Sequence, residues 1–306
     1  LHRERPVLLG IQALLRFVQE ALVKAGAVSP QARLIHNVTL STGSTLWLDV
    51  GDGAGNWFHV KACRQLSLAE EFDRFRLARE RFPAYTAEPV AHTCLAGWSI
   101  LIARAVDHVT VGAADLAASG HSGESLRRQL IGFFAAAQAS AKADILRQDN
   151  ETFMREAVAY LAASPAVSPP VRELALGLDA SVWGDIPAIS QHGDLVLNNL
   201  ARAGDRLIIF DWEDYGVTAL AGFDICLLAV SMAGMDAAGV AAIQRSENPA
   251  DQVWAFAREA SAACGLPYAT FRALIPVYLL AFRYLKRNYG EEIRARMDAM
   301  LGELLP

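Results

Sequence analysis

The stretch 192–214, HGDLVLNNLARAGDRLIIFDWED, constrains this chain more than any other part of its sequence. It packs His192, Asp194 and Asn199 into one short turn, follows them with a small apolar strand at 207–210, and delivers Asp211 at the end of that strand. Two carboxylates and one amide oxygen, on loops at either end of a short hairpin, suit a divalent metal held beside a hydroxyl nucleophile. Phosphoryl transfer needs that equipment, because positioning and charge neutralisation do nearly all of its work. Taken singly each residue has a plainer reading, HGD as an ordinary turn and Asp211 as a strand-end cap. The spaced set, H-x-D-x-x-x-x-N then strand then D, is what carries the signal.

Composition bounds the class. With 306 residues the chain is long enough for two lobes or one large domain with a real core, and 53% hydrophobic with 20% charged residues is globular. A net charge of −5 argues against a nucleic-acid partner. The four cysteines, Cys63, Cys94, Cys226 and Cys264, show no CxxC spacing and read as free thiols of a reducing, cytoplasmic compartment. The chain starts at Leu1 with no signal-peptide pattern, and the missing initiator Met points to a trimmed or processed start, which leaves a removed leader open. The longest apolar run, 225–235, is too short to span a membrane and reads as a buried helix.

Periodicity gives the organisation. Residues 6–24 are apolar at helical spacing and end at Gly26; 32–40, 45–50 and 57–62 read as strands, separated by Ser41-Thr42-Gly43-Ser44 and the glycine-rich turn 51–56. A helix capped by Ser67 is predicted over 67–81, then strands at 90–94 and 98–106. Beyond Asp107 the pattern turns helical, at 124–146, 151–163, 171–178, 222–235, 250–263 and 268–288, interrupted by the hairpin at 189–213. The expectation is an α+β fold of two lobes: a helix plus β-rich lobe over 1–106, and a helical lobe over 107–306 that carries the hairpin.

Asp194 is the candidate catalytic residue, since a carboxylate set against an acceptor hydroxyl orients it and takes its proton, worth roughly 10²–10⁴-fold. Asn199 can offer its side-chain oxygen, and Asp211 its carboxylate, to Mg²⁺, which prefers hard oxygens. His192 is expected to hold the loop through backbone hydrogen bonds; a metallohydrolase set of His192, Asp194 and Asp211 is disfavoured, with no second histidine nearby. Lys61 lies in an apolar strand, where pointing to solvent is the plain reading, and Glu71 ten residues on can hold it by an ion pair, with Glu70 the rival partner. Such a pair aims an ammonium at phosphate oxygens. The sparse loop Ser41-Thr42-Gly43-Ser44 can cradle an anion or serve as an ordinary hairpin turn. Asp224 opens an apolar helix, as its N-cap or as a buried carboxylate reaching back to the 192–199 turn. Glu213 and Asp214 are candidates for the acceptor side, with a solvated acidic turn as the alternative.

These residues resemble the aminoglycoside phosphotransferase and choline kinase family, small-molecule kinases with a protein-kinase-like fold. The resemblance runs from about residue 32 to 288. It is carried by HGDLVLNNL and IIFDWE, with FHVKA, AEEFDRFRLA and WSILIARAV in support. It implies ATP-dependent phosphorylation of a small-molecule hydroxyl with Mg²⁺, GTP being the alternative nucleotide. Asp194 would be the base, Asn199 and Asp211 the Mg²⁺ ligands, and Lys61, held by Glu71, the ligand of the α- and β-phosphates. The carbonyl of Arg104 and the N–H of Val106, in a hinge at 103–106, would meet the adenine. This sequence departs from the family in its apolar Leu195-Val196-Leu197-Asn198, its sparse glycine loop and the lack of a proline before Asp224. Only thirteen positions separate Asp211 from Asp224, too few for a peptide-docking activation segment, so a small acceptor is expected, walled by 144–190 and 236–266. An aminoglycoside, amino sugar, other sugar, choline-like amine or amino alcohol fits. The other readings are an inactive nucleotide-binding or regulatory module on the same fold, disfavoured by the retained Lys61, Asp194, Asn199 and Asp211, and a metal-dependent phosphatase.

Overall fold

The computed structural model describes residues 5–42, 45–64, 66–95, 97–140, 149–178, 183, 185–245 and 252–304. Two compact units emerge, one of residues 1–108 with 208–213, the other of 109–207 with 214–306.

The first unit is organised by period-two burial. In strand β3 (Trp57–Cys63), Phe58, Val60 and Ala62 are fully buried while His59 and Lys61 between them are only half-buried, so the two sets face opposite sides of the sheet. With β1 (Ile35–Thr42), β2 (Thr45–Gly51), β4 (Pro89–Leu95) and β5 (Trp98–Arg104), it forms an antiparallel sheet of order β1-β2-β3-β5-β4. One face takes helix Arg5–Lys24, whose Leu14, Val18 and Leu22 pack with Leu48, Val50, Phe58, Val60, Ile100 and Ile102. Full burial of each such side chain contributes about 1.5–3 kcal/mol. The other face carries Cys63 and Leu101 beneath Leu68, with Phe72 and Phe75 of helix Ala69–Arg81. Lys61 lies on that second face, and this fixes which helix it can reach.

The second unit is mainly helical. Helix Phe223–Met232 is its centre, with the eight residues from Phe223 to Val230 all buried, as expected of an element enclosed on every side. Around the chain sequence lie His121–Ala139, Asn150–Ala163, Pro169–Gly177, Gln252–Ala263, Ile275–Leu285 and Glu291–Gly302. Strands β6 (Val109–Thr110), β7 (Leu200–Ala203) and β8 (Arg206–Ile209) make a small three-stranded sheet, and the chain passes into the first unit at Ile208. The architecture is α+β, an antiparallel sheet with its helices followed by a helical region. Among the described residues no single helix is long and apolar enough to cross a membrane.

Several boundaries differ from the sequence reading for local reasons. The single helix expected at 268–288 is two, Tyr268–Ala273 and Ile275–Leu285, because Pro276 cannot donate within a continuous helix and instead sits in the first turn of the second. The helix expected over 171–178 begins earlier, at Pro169, since Pro169 and Pro170 likewise fit the first turn. Ser67 does not cap the first unit's second helix; Leu68 holds the N-cap position, and the Ser67 hydroxyl accepts only from the Ala69 N–H at 3.3 Å. Strand β1 runs to Thr42, so Ser41 and Thr42 pair with Leu46 and Thr45 as strand residues and not as loop. Gly43 and Ser44 lie outside the described residues, as does 141–148 at the end of the helix expected over 124–146.

Candidate active site

In the first unit the site is built on Lys61. Its ammonium donates to both carboxylate oxygens of Glu71, at 3.0 and 2.9 Å, and to Glu213 Oε2 at 3.1 Å. Glu70, the rival partner, turns away to Arg74 at 2.6 Å, one helical turn on. Arg74 also donates to the Glu213 backbone carbonyl, tying down the residue that shares Lys61. Burial disfavours the charged ammonium, but Glu71 and Glu213 outweigh it and raise the Lys61 pKa well above its ordinary value. Burial also pushes the Glu71 carboxyl up; Lys61 pulls it back, and Glu213 and Asp211 add to the push.

Asp211 completes this cluster. It takes a left-handed backbone conformation, φ 61°, which costs most L-residues energy and which Asp tolerates. The strand-ending turn it makes is anchored by Trp212, buried and stacked on Phe82 at 5.9 Å, whose indole N–H donates to the Ile209 carbonyl at 2.8 Å. Glu71, Asp211 and Glu213 each offer a carboxylate oxygen, all within 4.8 Å of one another. Three carboxylates against one lysine leave excess negative charge, and hard oxygen donors so grouped fit a divalent cation such as Mg²⁺.

The second unit carries the catalytic-looking turn, locked from below by Asp224. Both its carboxylate oxygens accept backbone N–H groups of that turn, from His192 at 2.5 Å and from Gly193 at 3.0 Å. Its own N–H donates to Gln191 Oε1 at 3.0 Å. Asp224 is not the N-cap of its helix, since that position is Gly222 at φ 93°. Desolvation pushes the Asp224 carboxyl up to about 6 against the hydrogen bonds and His192 that favour its charge. Gly193 stands at φ 91°, and a Cβ there would overlap the Asp214 carbonyl. His192 is buried, and its Nδ1 accepts the Asp194 N–H at 3.3 Å. Asn199 donates its side-chain amide to the Asp194 carbonyl at 2.8 Å, closing the turn on itself.

Sequence reasoning missed Lys286. From the end of helix Ile275–Leu285 its ammonium reaches Asp194 Oδ2 and Asp214 Oδ2, each at 3.0 Å, and the Tyr289 hydroxyl at 3.3 Å. Its side chain is 4% exposed and lies over the rings of Tyr289 and Phe282 at 4.9 and 5.8 Å. Burial works against its charge, and Asp214 and Asp194 reverse that, raising its pKa above the ordinary value. The two residues expected on the acceptor side are thereby divided. Glu213 joins the Lys61 cluster, and Asp214 joins Asp194 on Lys286.

Of the residues expected to meet adenine, Arg104 ends β5. Its N–H donates to the Glu88 carbonyl at 2.8 Å and its side chain to the Glu88 carboxylate at 2.9 Å. The Val106 carbonyl accepts from His108 Nδ1 at 2.6 Å.

No family model matches this sequence, and no curated protein matches it. Solved structures do share its fold. Choline kinase LicA from Streptococcus pneumoniae aligns with a TM-score of 0.58 at 13% identity, covering 95% of this chain and 99% of that one. Aminoglycoside phosphotransferase APH(4)-Ia gives 0.57 at 14% identity, over 97% and 100%. A choline/ethanolamine kinase family protein from Mesorhizobium loti gives 0.51 at 15% identity, over 92% and 94%.

Proposed function

We propose that the protein is a small-molecule kinase that transfers the γ-phosphate of ATP to a hydroxyl group. The observation that carries this reading is Lys61, borne on a sheet and clamped by helix-borne Glu71, with Asp211 beside it at the end of the hairpin. The ammonium binds α- and β-phosphate oxygens, and Glu71 keeps it extended and charged. Asp211 would be a Mg²⁺ ligand, with Glu71 and Glu213 as further carboxylates beside it; Asn199 is the other candidate ligand, its amide N–H committed to the Asp194 carbonyl and its Oδ1 left to accept. When bound, Mg²⁺ neutralises phosphate charge. The Arg104 carbonyl and the Val106 N–H meet adenine. Asp194 orients the acceptor hydroxyl and takes its proton, as His192 and Asp224 hold its loop in place. Solved structures of this fold include a choline kinase and an aminoglycoside phosphotransferase, so hydroxyl acceptors on small molecules are the class to screen. We place the reaction in the cytosol, where ATP is supplied; the four cysteines stand as free thiols.

The test is ATP consumption across a panel of hydroxyl compounds. For the acceptor found, Asp194→Asn should lower kcat by about 10²–10⁴-fold while Mg·ATP still binds by calorimetry. Unchanged turnover removes Asp194 from the mechanism. A protein that binds neither Mg·ATP nor Mg·GTP is not a kinase.

A further inference from the structure

We propose that Lys286 is a resident counter-ion of the acceptor side, and that the acceptor is a hydroxyl compound carrying no positive charge. This rests on the kinase reading, in which Asp194 meets the acceptor. Paired carboxylates at such a place would recruit an ammonium-bearing substrate. Here the ammonium already belongs to the chain: Lys286 Nζ sits 3.0 Å from Asp194 Oδ2 and 3.0 Å from Asp214 Oδ2.

The lysine is built in, not draped across the surface. It closes helix Ile275–Leu285, its backbone N–H donating to the Phe282 carbonyl at 3.0 Å, and a cation at a helix C-terminus is favoured. Two aromatic faces flank the ammonium and Tyr289 accepts its third hydrogen bond. Displacing it would strand a charge that is almost fully enclosed. A cationic acceptor must therefore sit beside Lys286, like charge against like, within a few ångströms. Since Lys286 occupies Oδ2 of Asp194, we assign Oδ1 to the acceptor hydroxyl. The Lys61 cluster offers the contrast, for it holds three carboxylates against its one lysine.

The experiment uses matched acceptors with the intact chain and Mg·ATP: glucose against glucosamine, ethylene glycol against ethanolamine, choline against its uncharged tert-butyl analogue, inositol against an aminoglycoside. Uncharged members should exceed their cationic counterparts at least tenfold in kcat/KM. Lys286→Gln should shrink or reverse that ratio by tenfold or more, and Lys286→Arg, which keeps the charge, should retain it. A thermal shift with Mg·ATP confirms that each variant is folded and binds nucleotide. Turnover of cationic acceptors with little or none of their uncharged partners overturns the inference and leaves the kinase reading standing. So does an unaltered ratio in folded Lys286→Gln, and so does a wild-type protein that binds Mg·ATP yet turns over no member of the panel. Failure to bind any nucleotide overturns the kinase reading itself.

Discussion

The two units each centre on a lysine between two carboxylates, and the differences between these clusters are more instructive than the likeness. Lys61 rises from mid-strand, is 18% exposed, and has a third carboxylate, Asp211, nearby. Lys286 ends a core helix, is 4% exposed, and is braced by two aromatic rings. The first cluster is overloaded with negative charge and partly open, an arrangement that a bound cation would relieve. The second is more nearly balanced and closed, so it serves the folded state first. Consecutive residues feed both: Glu213 pairs with Lys61 and Asp214 with Lys286. The one-turn 3-10 segment Trp212–Asp214 explains this, because at three residues per turn each successive side chain points about a third of a circle away.

Removing each lysine tests that contrast most sharply. In Lys286→Met two partly exposed carboxylates are left facing one another without their cation, which we expect to cost about 2–4 kcal/mol in urea unfolding, at the lower side of a broken buried pair because water still reaches them. Lys61→Met should cost about half as much, and should instead abolish most Mg·ATP binding. Equal or reversed stability losses would break the distinction between a folding cluster and a ligand cluster.

Asp224 sharpens it from another side, as a carboxylate held by backbone N–H groups instead of a lysine. Its pKa is raised from 3.8 to about 6, so the folded state favours its protonated form. Its contribution to stability is full below pH 3.8 and is lost as pH rises through about 6, amounting in full to about 3 kcal/mol, roughly half of it between pH 5 and pH 8. Wild type should therefore lose stability relative to Asp224→Asn as pH is raised from 5 to 8. A flat difference would mean that the hydrogen bonds to His192 and Gly193 cancel the desolvation.

Asp211→Asn addresses the overloaded cluster directly. Asn accepts the left-handed backbone as readily as Asp, so the change removes charge without strain. We expect the free protein to be as stable or slightly more so, and the Mg²⁺-dependent part of nucleotide affinity to fall about tenfold, or about 1.4 kcal/mol. Calorimetry with and without Mg²⁺ separates the two. A loss of affinity that does not depend on Mg²⁺ would move Asp211 from metal ligand to loop support.

What the sequence made readable follows from range. Alternation in FHVKA placed Lys61 on a strand, and the HGD turn with its following strand placed Asp194 and Asp211, because those signals are local. Lys286 reads in sequence as the basic last turn of an apolar helix, and its partner Asp194 lies 92 residues away. No periodicity reports a contact of that separation. The opposite fates of Glu213 and Asp214 were equally hidden, since they depend on a turn held by the stacking of Trp212 on Phe82. Apolar spacing also ran through Pro276 and merged two helices into one, where proline chemistry should have overruled it.

The choice between Glu70 and Glu71 was open in sequence because both fall in the first turn of one helix. In the structure sheet register decides it: Lys61 lies opposite Leu101 and Trp47, on the face where Leu68 and Phe72 pack, and Glu71 is the acid presented there. Glu70 is left a surface pair with Arg74, its side chain 52% exposed. The smallest effect we expect is therefore at Glu70→Gln, which should change stability by no more than about 0.5 kcal/mol, the worth of an exposed i,i+4 pair. Nucleotide affinity should not move. Glu71→Gln should cost more than Glu70→Gln in stability and should weaken Mg·ATP binding. Glu70→Gln is still not a trivial control, because Arg74 also grips the Glu213 carbonyl. If it did lower nucleotide affinity, the Lys61 cluster would have to be redrawn to run through Arg74, and the contrast with the closed Lys286 cluster would narrow to the number of cations on each side.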